Sequence, residues 1–188
     1  MLESVVDTSG PEERQQAIAG VSVPPGVVAV LAIALAAVCF MKFGLTGTAV
    51  VAAGFCAVLV VLSAIDLERR IIPNRIVIPA GALVLLGNVA AQPDHAKEWV
   101  IAAFATLLVG IALSLATRGG IGMGDAKLGF LMGAGLGWTV VGAVVVASLL
   151  MFVAAVVLLA RRGLAARKDA LPFGPFLAFG AILVLLLS

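Results

Sequence analysis

The sequence predicts an all-α polytopic membrane protein, a bundle of about seven transmembrane helices with a cytoplasmic N-terminus. Three observations carry that expectation. Hydrophobic residues fill 63% of the 188 positions, more apolar surface than a soluble domain of this size can bury. They gather into runs at 23–41, 45–65, 76–91, 99–117, 128–160 and 171–188, and one crossing needs about 20 residues. Lysine and arginine fall mainly in alternate connecting segments, which sets an orientation.

Taken in order, residues 1–22 open on "MLESVVDTSGPEERQQ", which is acidic and therefore no signal peptide. They are expected to form a flexible polar tail, with 23–188 as one membrane-embedded domain. The second run ends at Asp66 and the third follows "RRIIPN". The fifth run has 33 residues without a charge, on the order of 50 Å as a single helix and too long for one crossing. Gly133, Gly135, Gly137 and Trp138 lie where a tight turn would split it. Trp138 also suits a membrane interface. With the N-terminus inside, cytoplasmic segments hold Arg14, Arg69, Arg70, Arg75, Arg118, Lys127, Arg161, Arg162, Arg167 and Lys168, and external segments hold only Lys42 and Lys97. The parity closes only if the fifth run crosses twice.

Several chemistries lack their residues. The single histidine, His95, lies in the polar "AQPDHAKEW" loop. There is no HExxH for zinc, no GxSxG, no GxxxxGK[ST] and no tyrosine. No basic stripe with interleaved aromatics points to nucleic acid. Cys39 and Cys56 sit in apolar runs, make no CxxC site, and are not expected to form a structural disulfide.

Carboxylates remain. Of the ten acids, four lie in the tail, and Asp94 and Glu98 are external. Asp66, Glu68, Asp125 and Asp169 are left near the cytoplasmic face. Asp66 falls in the last turn of a membrane helix, where the dipole disfavours an anion, and an ionisable group in a membrane segment is a functional candidate by default. Asp125, in "GMGDAKL", falls near the start of the next-but-two helix, where the dipole favours it. Two aspartates at one depth on separate helices can share a proton and activate water, which is aspartyl proteolysis. The plainer alternatives stay open: Asp125 as an ordinary first-turn acid, and Asp66 as a loop anchor paired with Arg69 or Arg70.

Glycines and prolines fit either use. Gly119, Gly120, Gly122 and Gly124 make a small, mobile stretch that lets a peptide backbone come close, or make a plain interhelical turn. Pro172 and Pro175 in "LPFGPFLAFGA" fix an extended lead-in able to pair with a substrate strand, or a standard helix start.

Three collinear stretches, "DLERRIIPN" from Asp66, "GMGDAKLGFLMGAGLGW" from Gly122 and "LPFGPFLAFGA" from Leu171, resemble the type IV prepilin peptidases, the GxGD group of membrane aspartyl proteases. The resemblance runs from about residue 30 to the end. It implies that Asp66 and Asp125 are the catalytic aspartates and that no metal or other cofactor is needed. It implies a prepilin or pseudopilin substrate, cut after a glycine that ends its short basic leader, at the cytoplasmic face. It also implies a multi-pass protein of a prokaryotic cytoplasmic (inner) membrane. Pro73 and Asn74 of the first motif and Gly174 of the third are implied as substrate-loop residues. Full-length bifunctional members carry a further N-terminal portion, often with two CxxC pairs, linked to methylation of the new N-terminus. The tail here has no cysteine, so the chain resembles the short, peptidase-only form, and N-methylation is not expected of it.

The remaining charged residues have two readings each. Glu68 can hold a basic leader or pair with Arg70 or Arg75. Lys127, two residues from Asp125, can bias which aspartate stays ionised or meet a lipid phosphate. Arg161, Arg162, Arg167 and Lys168 read as topology determinants and lipid contacts. Other functions remain compatible with the same two acids: a GxGD protease acting on other membrane helices, a proton-coupled transporter, or a membrane scaffold. A transporter would place its acids near mid-bilayer and often shows repeated halves, and neither feature is legible here.

Overall fold

A computed structural model describes residues 23–117, 122–162 and 172–188. Within them the chain forms seven α-helices: α1 (Pro25–Phe43), α2 (Gly47–Arg69), α3 (Asn74–Ala91), α4 (Ala96–Ala116), α5 (Met123–Leu136), α6 (Val140–Arg162) and α7 (Gly174–Leu187). The N-terminal tail, Arg118 to Ile121, and the segment holding Arg167, Lys168, Asp169 and Leu171 lie outside the described residues, as does the Arg162 side chain.

The helix boundaries follow from local chemistry. Pro25 starts α1, where its missing N–H costs nothing, and Gly44 ends it at φ 67°. The Thr46 hydroxyl caps α2 by accepting the Ala49 N–H at 3.2 Å. The 128–160 run divides as expected: Leu136 ends α5, Gly137 turns the chain at φ 58°, and a helical turn over Gly137–Thr139 leads into α6. Gly133 and Gly135 are not part of that turn. Both lie inside α5, and a Cβ on Gly135 would come within 2.5 Å of the Phe55 ring. They are glycine because neighbouring helices pack against them, as small residues do in membrane bundles.

α5 is the centre of the bundle, buried continuously from Leu131 to Gly137. Around it the core draws Phe55, Leu59 and Leu62 from α2, Val77 and Val84 from α3, and Leu177, Ala178 and Ala181 from α7. Asn88 of α3 is buried and donates to the Ala134 carbonyl of α5 at 2.8 Å, so this polar side chain has its partner. α1 and α6 are outer helices; Cys39 is the one buried residue of α1. Cys39 and Cys56 are free thiols in contact at 3.9 Å.

Val30, Ile33 and Phe152 are two-thirds exposed on these outer helices. In water such surfaces would drive aggregation, and against lipid they are in their own solvent. Five helical segments are long and apolar enough to cross a bilayer, and the 14-residue α7 is a shorter apolar helix. The protein is an all-α, multi-pass membrane protein. At one end of the bundle Lys42 donates to the Leu185 and Leu186 carbonyls at 3.1 and 2.9 Å, capping the C-terminus of α7. The exposed His95–Glu98 pair, 3.5 Å apart, follows α3. At the other end lie the termini that bear the aspartates.

Candidate active site

Four helix termini meet at that second end: the last turn of α2 and the first turns of α3, α5 and α7. They enclose a cavity of about 770 Å³ lined by Asp66, Arg70, Asn74, Asp125 and Lys127 among its polar residues. Ile71, Ile72, Met123, Met151, Pro172 and Phe173 supply much of the apolar wall.

Asp66 is 6% exposed. Its place is set by the way α2 stops. Arg70 takes the left-handed conformation, φ 52° and ψ 36°, and its N–H bonds the Asp66 carbonyl at 2.8 Å. Arg70 alone among described non-glycine residues has a positive φ, a conformation that costs about 1–2 kcal/mol without glycine. It turns the chain so that Ile71 and Ile72 form cavity wall and Pro73 can lead into α3. The Asp66 side chain finds its partner across the bundle. Oδ2 accepts the buried Gly174 N–H at 3.0 Å, from the first turn of α7.

Asp125 owes its place to its own helix. Gly122 is the N-terminal cap of α5, which makes Asp125 the third helical residue, and its N–H bonds the Gly122 carbonyl at 2.9 Å. Its carboxyl reaches back toward the Gly122 N–H, as the acid of a capping box does. Asp66 lies within Coulombic reach of Asp125.

The two motif glycines differ. A Cβ on Gly124 would sit 3.1 Å from the Ile72 Cβ, so this glycine lets α5 close onto the α2–α3 connection. A Cβ on Gly122 would meet nothing nearer than Asp125 Oδ2 at 3.8 Å. Lys127 donates to Asn74 Oδ1 at 2.7 Å and ties the start of α5 to the first residue of α3. Pro73 caps α3, and Pro175 occupies the first turn of α7. Glu68 stands apart from the cavity lining and accepts the Val23 N–H at 2.9 Å, holding the lead-in to α1. Gly119 and Gly120 lie outside the described residues.

Sequence reasoning did not single out Ile72, Met151 or Phe173 as cavity wall. Ile72 and Phe173 lie inside quoted motifs and were within reach. Met151 sits mid-way along a helix that is apolar until its last two residues, where one apolar residue looks like the next. Among the described residues no group of three or more His, Cys, Asp or Glu converges as a metal site would require.

Comparisons with known proteins bear on this arrangement. The sequence profile of the type IV leader peptidase family matches residues 53–164, which include both aspartates. A Burkholderia pseudomallei protein named prepilin leader peptidase/N-methyltransferase is 38% identical over 152 residues, covering 78% of this chain and 49% of the relative. Proteins of the same name from Bacillus subtilis and Aeromonas hydrophila are 30% and 34% identical, covering 78% and 69% of this chain and 59% and 46% of their own lengths. The chain thus spans about half the length of these relatives. No solved structure matches it. With a profile match over more than half of its residues, carrying both cavity aspartates, the chain belongs to the type IV leader peptidase family.

Proposed function

We propose that this chain is a membrane aspartyl endopeptidase that removes the leader of prepilins or pseudopilins at the cytoplasmic face of the inner membrane, with Asp66 and Asp125 as its catalytic pair. The observation that carries the reading is that carboxylates from two helices, far apart in sequence, line one cavity at a single end of the bundle. The names of the relatives supply the substrate class. Sidedness rests on charge: Arg69, Arg70, Arg75, Lys127 and Arg161 cluster at the end that holds the aspartates, as the positive-inside rule asks of the cytoplasmic side.

In this mechanism the anionic aspartate takes a proton from water as the water oxygen attacks the scissile carbonyl. The protonated aspartate donates to the carbonyl oxygen. The tetrahedral intermediate collapses when its C–N bond breaks and the amine leaves with a proton from the pair. No covalent enzyme intermediate forms. The leader must be extended where it is cut, because a helix keeps its carbonyls in hydrogen bonds. The apolar wall beside the carboxylates, with Met123, Met151 and Phe173, suits the unwound edge of an apolar segment.

The test is co-expression with a prepilin, following the leader by gel shift. The wild type is expected to process it, and Asp66→Asn and Asp125→Asn are each expected to lose at least about 100-fold in rate while still accumulating in the membrane. Near-normal processing by either variant would remove that residue from the pair.

A further inference from the structure

We propose that Gly174 is a positioning residue for Asp66: its backbone N–H fixes one carboxylate oxygen, and its lack of a side chain is what lets the first turn of α7 close over that group. The inference rests on the aspartyl peptidase reading for its kinetic consequence, but the contact itself does not depend on any activity.

The geometry is specific. Gly174 N lies 3.0 Å from Asp66 Oδ2 in a buried contact. A Cβ on Gly174 would come within 2.6 Å of Oδ2, 3.1 Å of Cγ and 3.2 Å of the Asp66 Cβ. No side-chain rotation at position 174 avoids that overlap, because Cβ is fixed by the backbone. Neither partner has slack, since both residues are buried.

The sequence around Gly174 narrows the choice of donor. Pro175 follows and has no N–H. The Leu177 N–H is already engaged with the Phe173 carbonyl at 3.1 Å. Gly174 therefore offers a free first-turn N–H, one that a helix start always leaves without an internal partner. Asp66 receives it at the positive end of α7, while the end of its own helix α2 disfavours an anion. The bond to Oδ2 fixes the orientation of the whole carboxylate. Pro172 and Phe173, immediately before Gly174, line the cavity, so substrate touching them would bear directly on the group that orients Asp66.

The experiment uses the full chain in membranes with a prepilin substrate. Gly174→Ala is expected to lower kcat by about 100-fold, the scale of an ångström-sized misplacement, with KM held within about threefold. Gly180→Ala is the comparison on the same helix: its Cβ would come within 2.5 Å of the Ala143 carbonyl oxygen, away from the cavity. It is expected to lower the amount of folded protein and to keep kcat per folded molecule. If Gly174→Ala lost turnover only in proportion to folded protein, as Gly180→Ala does, the proposal would be overturned.

A second arm needs no substrate. Asp66→Gly removes all three Asp66 atoms that a Cβ at 174 would meet, so Gly174→Ala in that background is expected to accumulate and melt like Asp66→Gly alone, even where the single Gly174→Ala protein fails to fold. A double variant as depleted as Gly174→Ala would overturn the proposal. Should the wild type cleave no prepilin, the functional reading fails while this arm still decides the contact.

Discussion

The last turn of α2 and the first turn of α5 deliver their aspartates to the same cavity by opposite electrostatic routes. Asp125 sits where its own helix welcomes a negative charge, three residues after the Gly122 cap. Asp66 sits where its own helix repels one, and it is held from outside by Gly174, 108 residues further along the chain. One site is locally determined and the other depends on the closed bundle. Two like residues thus have unlike dependence on the rest of the molecule. A local perturbation of α5 should act through the Asp125 turn, and a perturbation of helix packing should act through Asp66.

The largest effects are expected at the glycines of the GxGD stretch. Gly124→Ala is expected to push α5 off Ile72 and lower cleavage by about 10- to 100-fold, since its Cβ contact would be 3.1 Å. Gly122→Ala is expected to cost severalfold less, because no protein atom crowds that position. Equal losses, measured as kcat/KM in the same membranes, would mean that substrate rather than Ile72 sets the glycine at 124.

A smaller effect is expected from the Lys127–Asn74 bond. Lys127→Met and Asn74→Ala each remove one exposed hydrogen bond of 2.7 Å, worth about 1 kcal/mol or less. Each should lower kcat/KM by only a few-fold, and the double variant should lose little more than either single change. Fully additive losses would show that Lys127 works on something other than Asn74.

The smallest effect is a difference in stability. Either Asn substitution relieves the burial and mutual repulsion of the two carboxylates, but Asp125→Asn also gives up a helix N-terminus that favours an anion, about 0.3–1 kcal/mol, or roughly 1–4 °C in Tm for a chain of this size. Asp66→Asn removes a charge from a helix C-terminus and keeps an oxygen to accept the Gly174 N–H. Its Tm in detergent is expected to be unchanged or higher. A Tm for Asp66→Asn no higher than that for Asp125→Asn would erase the asymmetry.

The same asymmetry governs how much was legible in the sequence. The seven helices, the split of the long apolar run and Asp125 at a helix start were readable, because each is a local property of hydropathy, charge and glycine placement. The presence of Asp66 at the end of a membrane helix was readable, but the reason it is tolerated there was not. That reason is an N–H on α7, and hydropathy says nothing about which distant terminus a residue will face. Gly133 and Gly135 misled for a related cause. Glycine marks a turn or a tight helix contact with the same letter, and only the neighbours Ala102, Thr106 and Phe55 decide for contact. Glu68 was weighed as a holder of substrate or a partner for arginine, and the structure gives it the Val23 N–H, a backbone donor that leaves no trace in sequence.

α7 is fastened at both of its ends, by Lys42 at its C-terminus and by Asp66 at its N-terminus. Both partners leave the ribosome long before α7 does, with separations of 143 and 144 residues at one end and 108 at the other. During synthesis α1 to α6 can enter the bilayer while Asp66 still lacks the donor that orients it. Docking of α7 supplies that donor and seats the carboxylate in one event.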